Sequence, residues 1–202
     1  MYKGNIVTID NLKIIYFTQA LTCSEKIPGF IHEIDGNSKT WNTLTKFEKW
    51  HPVNDGVVDE TVCYGLVKTA NPYVMTDDES LNNRLRYIVN SITAGMDFCS
   101  DIYSNTLRIE PIEYPSTFTI RKYDTGYEMG PHSDTYTGSK DFGISAVVYL
   151  NDNYEGGELS FPEYNVKLKP EAGSIVMFPS NTVHEALAVT KGEKYFAPFF
   201  SK

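Results

Sequence analysis

The stretch Phe142-Gly143-Ile144-Ser145-Ala146-Val147-Val148-Tyr149-Leu150 is apolar or small at nearly every position. A short run of this kind, bounded by polar segments, reads as a strand buried on both faces. Shorter β-rich runs flank it, separated by turn signals at steps of roughly 8 to 12 residues. Upstream lies Phe118-Thr119-Ile120-Arg121-Lys122-Tyr123. Downstream, Gly156-Gly157 makes a tight turn into Glu158-Leu159-Ser160-Phe161. Tyr164 to Leu168 alternates with Asn165 and Lys167 on the outer face, Ser174 to Phe178 is apolar, and Tyr195 to Phe200 closes the set.

Ahead of these strands the pattern changes period. Leu81, Leu85, Ile88, Val89, Ile92, Met96, Cys99 and Ile102 recur at steps of three and four, the spacing of an amphipathic helix. Thr76-Asp77-Asp78-Glu79 reads as its capping box. The spacing predicts one long helix over about 77–103, with a break near Gly95, whose apolar stripe packs on the core. Residues 1–22 read as short strand-like pieces. Residues 23–60 read as irregular, punctuated by Pro28, Gly29, Gly36, Pro52 and Gly56. They form either a functional loop such as a lid or a surface wrapping in which Trp41 and Trp50 fill gaps. About eight strands after a helical and irregular half predict an α+β fold. Its core is a double-stranded β-helix, a jelly roll of cupin-like type. At 202 residues the chain is sized for one domain, with 1–105 as a supporting segment and 106–202 as the β core.

Composition narrows the function classes. Charged residues make up 22% and hydrophobic residues 41%, as in a soluble globular protein. A net charge of −8, without a dense run of Lys and Arg, opposes binding to a phosphate backbone, so no nucleic-acid partner is expected. Cys23, Cys63 and Cys99 are odd in number and widely spaced, which suits reduced thiols better than a disulfide framework. The apolar run Leu12 to Phe17 is broken by Lys13 and does not resemble a secretory signal. No stretch reaches the roughly 18 apolar residues that span a bilayer. These features predict a cytoplasmic protein without a membrane partner, and they leave its oligomeric state open.

The chemistry rests on His132 and Asp134, in Pro131-His132-Ser133-Asp134, and on His184. Residues i and i+2 of a strand point to one side, so the first pair can reach a common metal. His184 has to arrive from another strand. Two imidazoles and one carboxylate on one face of a metal, with the other face open, form the ligand set of non-haem Fe(II) oxygenases. A basic residue, Lys194, follows His184 by ten positions.

The stretch from about Thr117 to Phe200 resembles the prolyl 4-hydroxylase-like branch of the 2-oxoglutarate- and Fe(II)-dependent dioxygenases. Five pieces carry the resemblance in order. They are Arg121 to Tyr127 leading into Pro131-His132-Ser133-Asp134; Val147-Val148-Tyr149-Leu150-Asn151; Gly156 to Pro162; Gly173 to Phe178; and His184-Glu185-Ala186 followed by Val189 to Lys194. The resemblance implies that His132, Asp134 and His184 are catalytic metal ligands for Fe(II). It implies that Lys194 pairs with the far carboxylate of 2-oxoglutarate and that Tyr123 and Tyr149 add phenol hydrogen bonds. The implied reaction consumes dioxygen, releases succinate and carbon dioxide and hydroxylates an unactivated C–H bond, with ascorbate as a candidate reductant. Retention of Asp134, which related halogenating enzymes replace by a small residue, points to hydroxylation.

The branch suggests peptidyl-proline or another protein side chain as substrate. A free amino acid or small metabolite is the alternative. Nucleic-acid demethylation uses the same metal set but conflicts with the acidic balance. A cupin-like binding module without turnover is the reading from a different class. Thr135 to Asp141 is expected to border the substrate entrance as a mobile loop. Glu185 beside His184 is either an acceptor that orients a ligand or a solvent-facing carboxylate, and Asn151 and Asn181 read as turn residues.

Overall fold

The structure is a computed structural model that describes residues 4–9, 13–22, 24–29, 31, 73, 77–116, 118–135 and 143–201, together with short backbone segments between 45 and 70. The first strands in chain order are β1 (Ile6–Ile9), β2 (Ile14–Phe17), β3 (Thr45–Glu48), β4 (Val53–Asn54), β5 (Val57–Val58), β6 (Cys63–Tyr64) and β7 (Val67–Ala70). Helix α1 (Glu79–Leu107) follows. The second half contains β8 (Ile120–Tyr123), β9 (Glu128–His132), β10 (Ile144–Tyr149), β11 (Glu155–Gly156), β12 (Leu159–Phe161) and β13 (Val166–Leu168). It ends with β14 (Ile175–Pro179), β15 (His184–Ala186), β16 (Val189–Lys191) and β17 (Lys194–Phe200).

Among the described residues, the larger sheet has the order β1-β2-β14-β10-β17-β8-β7-β3 and the smaller β13-β12-β15-β9-β6, with all pairings antiparallel. From β8 onward the chain passes back and forth between the two sheets, so that β8, β10, β14 and β17 face β9, β12, β13 and β15. This is the double-stranded β-helix predicted from the strand spacing. The expected central strand is β10, paired with β14 on one side and β17 on the other. The two outer strands at each edge of the larger sheet, and β6 on the smaller one, come from residues before 71. The stretch read as irregular therefore contains the strands β3, β4 and β5. Trp41, Trp50, His32 and His51 lie outside the described residues.

Strand alternation explains why the larger sheet is apolar throughout. Ala146, Val148, Ile175, Met177 and Ala197 join Ile15 and Phe17 in a cluster with α1. Tyr149, Val176 and Phe178 face inward and pack on Leu159 and Phe161 of the smaller sheet. The helix contributes Leu81, Leu85, Ile88, Ile92, Met96, Cys99 and Tyr103 to the first cluster. Full burial of a Leu, Ile or Met side chain contributes roughly 1.5–3 kcal/mol. A single N-cap contributes only about 1 kcal/mol, so the stripe rather than the cap holds the helix to the sheet.

Two details of the helix differ from the sequence reading. Its cap is Asp78, whose Oδ1 accepts from the backbone N–H of Ser80 at 2.9 Å and of Leu81 at 3.1 Å; Thr76 lies outside the described residues. The helix also runs unbroken through Gly95. A Cβ there would sit 2.7 Å from Leu21 Cδ2 and 3.1 Å from the carbonyl oxygen of Ala20, so glycine serves close approach instead of a kink. The alternation expected from Tyr164 begins only at Val166, because Pro162–Tyr164 form a 3-10 turn ending in a left-handed Asn165.

Candidate active site

His132 closes β9 and His184 opens β15, and the two are direct cross-strand partners with ring centroids 4.4 Å apart. Each Nδ1 faces a nearby backbone carbonyl, Gly130 at 2.8 Å and Thr182 at 3.0 Å. With the Nδ1–H donating, each Nε2 is left as a lone-pair donor. Asp134 lies beyond the end of β9, so strand alternation does not place it. Tertiary contacts do. Its N–H donates to the carbonyl of Ser180 at 2.8 Å, and its Oδ2 accepts from the Ser145 hydroxyl at 2.7 Å. Ser145 and Ser180 are themselves 2.9 Å apart through their hydroxyls.

The resulting triangle is compact. Asp134 Oδ1 stands 3.6 Å from His132 Nε2 and Oδ2 stands 3.5 Å from His184 Nε2, with all three ligand atoms within 4.8 Å of one another. Metal bonds to imidazole nitrogen and carboxylate oxygen run roughly 2.0–2.2 Å, so one ion can bridge these separations. Burial holds the His184 imidazole below its ordinary pKa, assisted by His132 and opposed by Asp134. Neutral imidazole is the form a metal requires. The donor set therefore fits the ferrous ion that the resemblance implies.

Lys194 opens β17 opposite Tyr123 and is 2% exposed. Its Nζ donates to the Gly157 carbonyl at 2.8 Å and lies 5.2 Å from the ring of Tyr149, 5.3 Å from Phe196 and 5.8 Å from Tyr123. Gly157 and Gly156 both have positive φ, +66° and +71°, and a Cβ on Gly156 would sit 2.1 Å from the carbonyl oxygen of Ala188. No carboxylate forms an ion pair with Lys194 among the described residues. Burial, with Lys169 assisting and Glu158 opposing, lowers its pKa to about 7. The Tyr149 hydroxyl is buried and has no hydrogen-bond partner among the described residues. A buried cation without a counter-ion beside an orphaned phenol is an expensive arrangement that an anionic ligand completes. The distal carboxylate of 2-oxoglutarate fits it.

All six residues singled out from the sequence line one cavity: His132, Asp134, His184, Lys194, Tyr123 and Tyr149. Tyr123 is wedged between Tyr127, at 3.9 Å between centroids, and Phe196 at 4.7 Å. Arg121 lines the same cavity. Lys122, its neighbour, is buried away from it and ion-paired with Glu193 at 2.5 Å and Asp124 at 3.5 Å. Sequence reading missed Ser145 and Ser180. The signal for Ser145 was present, as a lone hydroxyl at an inward position of an otherwise apolar strand. Ser180 carried none. The loop expected over 135–141 lies, apart from Thr135, outside the described residues.

Residues 118–202 match the family described as the 2OG-Fe(II) oxygenase superfamily. Over 84 residues the chain is 31% identical to a PKHD-type hydroxylase of Maricaulis maris (strain MCS10), covering 39% of this chain and 38% of that protein. Over 92 residues it is 35% identical to a PKHD-type hydroxylase of Shewanella sp. (strain ANA-3), covering 40% and 39%. The match thus spans about two fifths of the length of these curated relatives. Among solved structures, a prolyl hydroxylase from Trichoplax adhaerens, in complex with a hypoxia inducible factor oxygen degradation domain peptide fragment, aligns with a TM-score of 0.63 at 17% identity, covering 96% of this chain and 84% of that one. A prolyl-4-hydroxylase from Pseudomonas putida aligns with a TM-score of 0.59 at 16% identity, covering 95% and 92%. At such identities the structural likeness speaks for the fold. Residues 118–202 thus resemble the 2OG-Fe(II) oxygenase superfamily, and the chain shares its fold with the two prolyl hydroxylases.

Proposed function

We propose that this protein is an Fe(II)- and 2-oxoglutarate-dependent dioxygenase that hydroxylates an unactivated C–H bond, with peptidyl-proline or another protein side chain as its substrate. One observation carries the reading. A two-His, one-carboxylate triangle shares a cavity with a buried ammonium and a phenol that, among the described residues, have no counter-ion and no hydrogen-bond partner respectively. When bound, ferrous iron, 2-oxoglutarate and dioxygen supply the oxidation, with one oxygen atom entering the substrate and the other entering succinate as carbon dioxide leaves.

The chain's own residues bind, orient and exclude. His132 and His184 present Nε2 because backbone carbonyls hold Nδ1. Ser145 holds one oxygen of Asp134, which sets the plane of the carboxylate. Lys194, with Tyr149, holds the co-substrate's distal carboxylate, and Val147, Leu159 and Phe196 keep bulk water from the cavity. A second cavity lined by Tyr73, Pro115, Phe118 and Phe199 shares Arg121, Pro198 and Phe200 with the first. This aromatic and proline-lined approach suits an apolar ring on a peptide. The names of the structural neighbours, which are prolyl hydroxylases, support the same class.

The test is anaerobic addition of Fe(II) and 2-oxoglutarate. A visible charge-transfer band is expected, and Asp134→Ala should abolish it. Succinate release in air, stimulated by a proline-rich peptide, supports the substrate class. Stimulation only by free amino acids or other metabolites removes the peptide reading. A binding module without turnover shows neither band nor succinate.

A further inference from the structure

Asn151 reads from the sequence as a turn residue just past the central strand. In the structure it is 3% exposed, and its side-chain amide is bonded on both its nitrogen and its oxygen. Nδ2 donates to the carbonyl of Glu193 at 2.7 Å and to Asn153 Oδ1 at 2.7 Å. Oδ1 accepts from the N–H of Tyr195 at 2.7 Å. The Glu193 carbonyl and the Tyr195 N–H belong to the two peptide groups that flank Lys194. One side chain thus holds the peptide plane on each side of the Lys194 Cα, and those planes set the direction of its Cα–Cβ bond.

The same segment is held from its other side chains. The carboxylate of Glu193 receives the Tyr195 hydroxyl at 2.9 Å and ion-pairs with Lys122 at 2.5 Å. The Tyr195 carbonyl accepts from the Leu150 N–H at 2.9 Å. A lysine stem is long and flexible, so the position of its ammonium depends strongly on how its root is fixed. Asn151 also follows Tyr149 by two residues and so ties the end of the strand that carries the orphaned phenol to the start of the strand that carries the ammonium.

We propose that Asn151 is a positioning residue: by clasping the backbone on both sides of Lys194 it sets the ammonium where it receives the distal carboxylate of 2-oxoglutarate, and so determines selectivity for a 2-oxo diacid. The inference rests on the reading of Lys194 as the anchor of that carboxylate.

Protein loaded with Mn(II) is titrated by calorimetry with 2-oxoglutarate and with 2-oxopentanoate, a 2-oxo acid of the same length without the distal carboxylate. Wild type should prefer 2-oxoglutarate. Asn151→Ala should lose about tenfold in 2-oxoglutarate affinity, with 2-oxopentanoate and Mn(II) affinities within about twofold of wild type. In a Lys194→Met background the same substitution should cost nothing further, since coupled residues are non-additive. Should Asn151→Ala fail to fold, Asn151→Ser carries the comparison. Equal losses for both acids, full additivity with Lys194→Met, or loss of Mn(II) binding in both variants would each overturn the proposal and leave Asn151 as a fold residue alone. Equal wild-type affinity for the two acids would instead overturn the reading of Lys194, and the clasp with it.

Discussion

Ser145, near the start of the central strand, donates a 2.7 Å hydrogen bond to Oδ2 of Asp134, eleven residues earlier in the chain. Asp134 stands past the end of its own strand, so this bond and the 2.8 Å bond from its N–H to the Ser180 carbonyl replace the strand ladder that holds the two histidines. Hydrogen bonds that orient a ligand are typically worth about 10- to 100-fold in metal affinity. Ser145→Ala should therefore weaken Mn(II) binding by about tenfold or more while the melting temperature stays close to wild type. Titration followed by electron paramagnetic resonance reads the affinity, and an unchanged value would remove the role given to Ser145.

Lys194→Met separates co-substrate binding from stability. Its ammonium is buried with one carbonyl acceptor and no ion-pair partner among the described residues. Replacing a buried charge by an apolar group of similar volume is often neutral or stabilising. The variant should melt at the wild-type temperature or higher, keep its metal and bind 2-oxoglutarate no better than 2-oxopentanoate. A clear drop in melting temperature would show that the ammonium stabilises the ligand-free fold.

The pH dependence follows from the same residue. Burial is the main reason its pKa falls from an ordinary 10.5 to about 7; the hydroxyl-bearing rings of Tyr123, Tyr149 and Tyr154 surround it, Lys169 adds to the shift and Glu158 opposes it. Below about pH 7 both folded and unfolded chains carry the charge, and the full cost of burying it is present. Between about 7 and 10.5 the unfolded chain binds the proton and the folded one does not, so this group's contribution to stability rises with pH. The stability difference between Lys194→Met and wild type should accordingly be widest below pH 7 and narrow as pH rises. Affinity for 2-oxoglutarate has the opposite slope, because the ligand needs the charged form; calorimetry should find binding weakening from about pH 7 upward. A flat profile would contradict the assignment of Lys194.

Gly95→Ala tests the packing of the helix. Alanine gains about 1 kcal/mol over glycine in an exposed helix interior. Here the new Cβ would meet Leu21 Cδ2 at 2.7 Å and the Ala20 carbonyl oxygen at 3.1 Å. Overpacking of this kind costs about 1–3 kcal/mol, and one of the two neighbours is backbone, which yields little. A net loss of stability is expected in denaturant unfolding, and a gain would show that the segment before the helix relaxes freely.

Much of the fold was legible because local rules act on neighbours in the chain. The three-and-four spacing from Leu81 to Ile102 defined a helix, and the apolar run ending at Leu150 defined a strand covered on both faces. Boundaries and caps were less legible. Asp77, Asp78 and Thr76 are all acceptable caps by type, and only the backbone geometry at Asp78 decides among them. Residues His132, Asp134, His184 and Lys194 could be named from order and residue type, but their meeting could not be derived.

What the amino-acid sequence determined by itself was periodicity, turn chemistry and the inventory of metal-binding and charged side chains. What only the tertiary structure decided was which distant groups touch. Antiparallel pairing set His184 across from His132, the Ser145 hydroxyl and the Ser180 carbonyl caught the carboxylate and the N–H of an aspartate that strand geometry had released, and Asn151 reached across to the two peptides beside Lys194. Each of these contacts joins residues more than ten positions apart. Their geometry depends on sheet register and burial, which no local pattern encodes.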